Sequence, residues 1–243
     1  LSYKENGQLE KKSNYKDDKL DGEWKVYDEN GQIQVEGNFK EGRYYDKNTD
    51  VAFTGEVLIY YGNGQLREKI NYKDGKQEGE WLYYYENGQL EKTEIYKNGK
   101  KEYKEKFIYH ENGQLNWKSN YKDDKLEGEQ LTYYENGQLN WKGNYKDDKL
   151  EGERLSYQEN GQLLKTEIYK DGELEGETLI YDETGQLKFK GNYKDGKPEG
   201  EWLSYHENGQ IEEKGNYKDG KEEGESIHYD MNGQLKKTEI YKD

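Results

Sequence analysis

The sequence predicts an all-β chain: an elongated, solenoid-like array of stacked antiparallel β-hairpins forming a single twisted meander sheet. Three observations carry this. First, an N-G-Q-(L/I) signature recurs with its glycine at 7, 31, 64, 88, 113, 137, 161, 185, 209 and 233, with only Thr184 replacing the Asn. Most spacings are 24 residues, and a fixed period of that size marks a stacked repeat array. Second, the segments between signatures are rich in Tyr, Trp, Leu and Ile and alternate with period two. Third, they are bounded by N-G and D-G, which are hairpin-turn dipeptides. Helix is the poorer reading, because glycines recur too often for a 3.6-residue period to survive between them.

Composition alone would read as disorder. Apolar residues are 29%, charged residues 37%, and the net charge is −15; low hydrophobicity with high charge rarely folds. Placement supplies the order. The 26 Tyr and the Leu residues fall at fixed phases of the repeat. A 24-residue unit cannot close a core alone, so each must bury its apolar face against its neighbours. The reading is one continuous array over residues 1–243, about ten hairpins, with an insertion near 40–54 and partial repeats at both ends. At ~4.8 Å per strand, some twenty strands would extend on the order of 90–100 Å.

Each repeat divides into two strands. The first runs from G-E into E-N-G. The second runs from Q-L to a Tyr six residues after the Leu, and K-D-G turns the chain back. Four positions are nearly always apolar. In the first strand they are a Leu column (Leu58, Leu82, Leu131) and a Tyr column (Tyr60, Tyr84, Tyr133), with Lys25 breaking the Leu column. In the second they are the Leu after Gln and the later Tyr (Tyr72, Tyr96, Tyr121). A three-residue E-N-G loop would place all four on one face. A two-residue loop would split them, since one residue of slip flips every side chain. The expectation is therefore a three-residue loop at both turns, a left-handed glycine in each, and a Leu/Tyr face that twist or curl brings onto itself. Lys-Asp-Asp-Lys at 16–19, 122–125 and 146–149 puts Asp where the K-D-G glycine stands, and Asp tolerates that conformation.

G-E-W-L-x-Y-x-E-N-G-Q-L followed by N-Y-K-D-G-K resembles the MORN repeat, in the bacterial variant of the YwqK-family antitoxins. The resemblance covers essentially the whole chain. The stretch from Arg43-Tyr44-Tyr45 to Ala52-Phe53-Thr54-Gly55 is similar to a longer loop that precedes a repeat in that family. The resemblance implies stacked β-hairpins and no catalytic motif.

No reaction is legible. There is no Cys, hence no disulfide or thiolate metal site. His110, His206 and His228 sit in three different repeats without Cys or Ser partners in register. The Glu after each Gly (Glu23, Glu56, Glu80 and onward) forms a column, but copies two strands apart are ~10 Å from each other, too far to share an ion; pairing with Lys is the reading. No cofactor is expected. Net negative charge without a basic stripe argues against nucleic acid and anionic membrane. No apolar run could span a membrane as a helix. Leu1-Ser2-Tyr3 matches Leu82-Tyr83-Tyr84, so the chain begins mid-repeat, and an export signal could lie outside it. An exported or envelope location is the expectation, a cytoplasmic one the alternative.

Two features stand apart from the bare repeat. Thr-Glu-Ile-Tyr recurs at 93–96, 166–169 and 238–241. Three-unit duplication explains it, or a surface that repeats every third unit. Beside the insertion, Val57, Ile59, Tyr61, Trp81, Tyr83 and Tyr85 fall at the positions pointing away from the Leu/Tyr face. Six large residues there would form a patch for a protein partner, unless Tyr44, Tyr45 and Phe53 fold over them as a second core. In that case the Trp117/Trp141 pair becomes the next candidate. The function expected is a non-enzymatic repeat scaffold binding a protein; the alternative is an antitoxin or immunity protein that neutralises a toxin by binding it.

Overall fold

A computed structural model describes residues 1–45 and 51–242; residues 46–50, inside the insertion, lie outside the described residues. Strand makes up 66% of the chain and no helix is present among the described residues. Strands adjacent in sequence pair antiparallel, as in an open meander. The chain divides into two compact units, residues 1–107 with 121–124, and residues 108–120 with 125–243. The division falls in the repeat whose signature spacing is 25 residues rather than 24. There Lys104 stands where other repeats have a left-handed Gly such as Gly79.

Unit 1 opens with a five-stranded sheet made of Ser2–Tyr3, Leu9–Lys12, Gly22–Tyr27, Ile33–Lys40 and Arg43–Tyr45, in that order. Hairpins beginning at Gly55–Tyr60 with Leu66–Lys73 follow. Unit 2 repeats the hairpin in chain order up to Gly224–Tyr229 with Leu235–Tyr241.

The E-N-G turn has the expected geometry. Tyr85 N donates to Gln89 O at 2.8 Å and Gly88 N donates to Tyr85 O at 2.9 Å, which leaves Glu86, Asn87 and Gly88 as a three-residue loop. Asn87 Oδ1 accepts from Gln89 N at 3.0 Å and closes the loop locally. Every signature glycine is left-handed, from Gly31 at φ 78° to Gly233 at φ 79°.

The K-D-G-K turn differs from the expected three-residue loop. Lys73 pairs directly with Lys76, and both central residues are left-handed, Asp74 at φ 50° and Gly75 at φ 74°. This is a two-residue type I′ turn, whose twist matches that of the strands it joins. Asp17 (φ 49°) and Asp18 (φ 59°) adopt the same pair of conformations without glycine. After the turn a two-residue strand such as Lys76–Gln77 forms before the next long strand begins.

The face assignment also differs, for one reason. In the hairpin Gly79–Tyr84 with Leu90–Lys97, Tyr84 pairs with Leu90 but Tyr83 pairs with Lys92. Glu91 is an extra, bulged residue. The same shift occurs at Ile59/Tyr60, Thr132/Tyr133, Ile180/Tyr181 and Ser204/Tyr205. Beyond the bulge the second strand changes face. Leu82, Tyr84 and Leu90 stay together, while Tyr96, paired with Gly79, joins Trp81 and Tyr83 on the opposite side.

That opposite side is the buried one. In unit 1 the core consists of Trp24, Val26, Phe39, Tyr44, Val57, Ile59, Ile70, Tyr72 and Trp81. Ile59 is 1% exposed, whereas its neighbours Leu58 and Tyr60 are 37% and 42% exposed. The first-strand Leu and Tyr columns thus face outward, with the Leu after Gln, while the second-strand Tyr column faces inward. This accounts for Lys25, which in an outward column pairs with Glu23 at 2.5 Å.

Stacking is fixed at both edges of the sheet by side chains that reach the next repeat. Tyr61 Oη donates to Tyr84 O at 2.6 Å, and Tyr134 Oη to Tyr157 O at 2.8 Å. At the other edge Glu151 accepts from Asp171 N and Glu175 from Asp195 N. Each of these bonds links one repeat to the next, so order propagates from repeat to repeat.

The left-handed turn glycine gives a direct test. A Cβ on Gly137 (φ +82°) would lie 2.5 Å from Gln114 Oε1. Gly137→Val should destabilise the array locally by about 1–2 kcal/mol. Faster amide exchange confined to Gly128–Tyr133 and Leu139–Lys146 is the expected readout.

Candidate functional site: the inner face of the hairpins

Two columns line the inner faces of the hairpins, opposite each other in eight hairpins among the described residues. The first strand supplies Trp24, Val57, Trp81, Gln130, Arg154, Thr178, Trp202 and Ser226. The second supplies their partners Gly37, Ile70, Glu94, Gly143, Glu167, Gly191, Gly215 and Glu239. Position rather than hydrophobicity determines burial, since Gln130, Thr178 and Ser226 are buried too.

Glycine in the second column makes room. A Cβ on Gly37 would meet the Tyr44 ring at 2.0 Å, and one on Gly191 the Trp202 indole at 2.8 Å. Tyr44 is the hub of unit 1, with ring centroids 5.7 Å from Trp24, 5.2 Å from Phe39, 5.1 Å from Phe53 and 5.0 Å from Tyr72. The described part of the insertion therefore contributes the centre of the aromatic core.

This places the six residues read as a partner patch. Val57, Ile59, Trp81 and Tyr83 do share one face, with Glu68 and Ile70 on the strand between them. The face is the inner one, not an exposed outer one. Val57, Ile59 and Trp81 are buried beside Tyr44, and Phe53 and Tyr83 pack against them. Tyr61 and Tyr85 serve the stacking ladder through Tyr84 O and Phe107 O. Trp117 and Trp141 also lie on the inner face, both paired with Thr132, rather than on the Leu/Tyr face.

The Thr-Glu-Ile-Tyr motif becomes intelligible here. Its Glu is the inner-column residue, so every third repeat puts a carboxylate among inner-face side chains. Glu94 accepts from Tyr83 Oη at 3.1 Å, Tyr96 Oη at 3.0 Å and Lys92 Nζ at 3.3 Å. Glu167 pairs with Lys165 at 2.6 Å and Arg154 at 3.4 Å. Glu239 pairs with Lys237 at 2.5 Å and His228 at 3.3 Å. Burial pushes the Glu94 carboxyl up, but the Lys92 charge and the three donors outweigh it, and its pKa is lowered overall. The duplicated motif thus carries an internal ion pair.

The Glu column after Gly pairs with Lys on the outer face where the contacts are described. Lys69 lies 2.6 Å from Glu56, and Lys12 and Lys25 together hold the Glu23 carboxyl down to about 2. Two of the three histidines belong to the stacking ladder: His110 Nε2 donates to Tyr133 O at 2.8 Å and His206 Nε2 to Tyr229 O at 3.0 Å. His228 does have a serine neighbour, against the sequence reading, since Ser226 Oγ is 3.5 Å from its Nε2. The same nitrogen also faces Glu213 at 3.7 Å and Glu239 at 3.3 Å. A nucleophilic triad needs acid and nucleophile on different ring nitrogens, and Ser226 already donates to Glu213 at 3.0 Å. Among the described residues no group of three or more His, Asp or Glu is arranged to hold a metal ion.

Glu94 offers a quantitative test. Glu94→Ala leaves Lys92 and two tyrosine hydroxyls without their acceptor and should cost about 2 kcal/mol in urea denaturation at pH 7. Because its folded pKa is lowered, the stability that this carboxylate contributes is present above the ordinary Glu value of ~4.3. It is lost as pH falls through the lowered folded value. Glu94→Gln should reduce the loss of stability between pH 5 and pH 3 relative to the parent chain.

The family model described as a MORN repeat variant matches residues 1–17, 20–41, 53–74, 77–98, 126–147, 150–171, 174–195, 198–219 and 222–243. It passes over the repeat in which the two units divide. No curated protein matches the chain. Among solved structures, the crystal structure of TcdB2-TccC3 is 14% identical over 90% of this chain, with a TM-score of 0.29. A structure of the Photorhabdus luminescens Tc holotoxin pore is 14% identical over 90% of this chain, with a TM-score of 0.27. This chain spans 14% of the length of each of those two. With nine matched segments covering well over half of its residues, the chain belongs to the MORN repeat variant family.

Proposed function

We propose that the chain is a non-enzymatic scaffold whose stacked hairpins bind a protein partner. MORN repeats are generally interaction scaffolds for proteins and membranes. The observation that supports a protein is the acidic edge formed by the E-N-G turns. In unit 2 the exposed residues Glu111, Glu135, Glu159, Glu183 and Glu207 stand one per repeat, with no Lys or Arg in their turns. Two neighbouring repeats lie ~10 Å apart. The spacing is held by Asn112 Nδ2 donating to Glu135 O at 2.6 Å and Asn136 Nδ2 to Glu159 O at 2.8 Å. A fixed row of carboxylates complements a basic protein surface and repels anionic lipid and nucleic acid. An antitoxin is the narrower form of this reading, with one basic toxin as the partner.

Photo-crosslinking in the native host tests it. A benzophenone side chain at 135 or 159 should give an adduct with the same protein at both positions. Glu111→Lys with Glu135→Lys and Glu159→Lys should abolish it. Adducts with lipid alone, or none at either position, would contradict the proposal. Death of the host on removal of the chain, rescued by removing the captured protein, would identify the antitoxin form.

A further inference from the structure

The inner face is not filled equally in all repeats. In the hairpin Gly79–Tyr84 with Leu90–Lys97, Trp81 stands opposite Glu94, and Tyr83 opposite Lys92. Lys92 Nζ lies 3.8 Å from the centre of the Tyr83 ring and 3.3 Å from Glu94. The hairpin Gly200–Tyr205 with Ile211–Lys218 keeps the tryptophan but changes its surroundings. Trp202 stands opposite Gly215, and Ser204 opposite Glu213. Tyrosine has become serine, glutamate has become glycine, and the lysine has become a carboxylate.

A cavity of about 70 Å³ results. Water occupancy needs only ~10–15 Å³ of such space, so the cavity admits the end of a side chain. Trp202, Phe189 and Tyr217 form aromatic walls, with Trp202 centred 4.9 Å from Phe189 and 4.8 Å from Tyr217. Glu213 and Glu222 supply carboxylates, and no Lys or Arg lines it among the described residues. Ser226 Oγ donates to Glu213 at 3.0 Å and Tyr217 Oη to Glu222 at 2.9 Å, so both carboxylates are held in place.

Neither backbone nor packing demands the glycine here. Gly215 is not left-handed, and a Cβ on it would meet nothing closer than Ser226 Oγ at 3.8 Å. Elsewhere the chain lays its own cation over an inner-face ring: Lys11 over Trp24 at 5.5 Å, Lys104 over Tyr121 at 4.5 Å and Arg154 over Trp141 at 5.0 Å. Aromatic walls with carboxylates are what a desolvated ammonium needs.

We propose that the cavity beside Trp202 binds an alkylammonium group, the side chain of a lysine from a partner protein, in the place that Lys92 fills for its own hairpin. The source of the lysine rests on the scaffold reading; the chemistry of the cavity does not.

The probe is N-acetyl-lysine methylamide, titrated into the full chain at pH 8.5, below the ordinary lysine value of ~10.4, so that its amine is charged. The readout is the indole N–H resonance of Trp202, assigned with Trp202→Phe. N-acetyl-norleucine methylamide is the uncharged control. A saturating shift is expected with the lysine probe, at least about tenfold weaker with norleucine. Glu213→Gln should weaken it about tenfold. Ser204→Tyr with Glu213→Lys, which rebuilds the Tyr83–Lys92 pair, should abolish it. If Glu213→Gln does not fold, Glu222→Gln takes its place. Equal shifts with both probes, no shift of Trp202, or full binding by the Ser204→Tyr/Glu213→Lys chain would each overturn the proposal. Failure of the titration rejects the cavity site while the crosslinking result stands; lipid-only adducts reject the scaffold reading while the cavity site stands.

Discussion

The bulged residue after each N-G-Q-L governs the rest of the structure, because it decides which half of each strand is buried. Without it, the Leu and Tyr columns of both strands would share one face. With Glu91 extra, Tyr96 crosses to the side of Trp81, and Leu82 is left with Tyr84 and Leu90. The inner face then receives the tryptophans, the later tyrosines and the second-strand column, where Gly is the commonest residue and Glu stands in every third repeat. The outer face receives aliphatic side chains interleaved with ion pairs such as Lys69–Glu56. A bulge also bends its strand and strengthens local twist, so the device that sorts the side chains also shapes each hairpin locally.

A chain with so few apolar residues folds on this plan because each repeat solves the same packing problem with different residues. Unit 1 fills the inner face with rings centred on Tyr44. The repeat with Arg154 and Glu167 fills it with an ion pair, and in the repeat with Thr178 the space over Gly191 is taken by the Trp202 indole of the next repeat. Ion pairs at partly buried positions contribute little net stability against apolar filling. They do constrain register, since Glu94 is satisfied only where Lys92, Tyr83 and Tyr96 converge. The edge ladders through Tyr61, Tyr134 and the histidines add a second register constraint at each repeat.

Much of this was legible in the sequence. The period, the two strands, the E-N-G loop and its left-handed glycine follow from the N-G-Q-L signature, and the grouping of Val57, Ile59, Trp81 and Tyr83 follows from alternation. Burial of that group was not legible, because alternation cannot see a bulge. The available signal was the residue after N-G-Q-L, which is polar in nearly every copy: Glu10, Gln34, Arg67, Glu91, Asn140. Asp at both central turn positions likewise signalled a two-residue loop at K-D-D-K. The Trp202 cavity could not be read without the ladder that sets Ser204 against Glu213 and Gly215 against Trp202.

Side-chain footprinting with hydroxyl radicals tests the inversion of faces most directly, since the two faces of one strand compete within a single peptide. The account predicts that Leu58 and Tyr60 are oxidised much faster than Val57 and Ile59, and that Trp81 is protected until the chain unfolds. Rapid oxidation of Trp81 and Ile59 with protection of Leu58 and Tyr60 would contradict it.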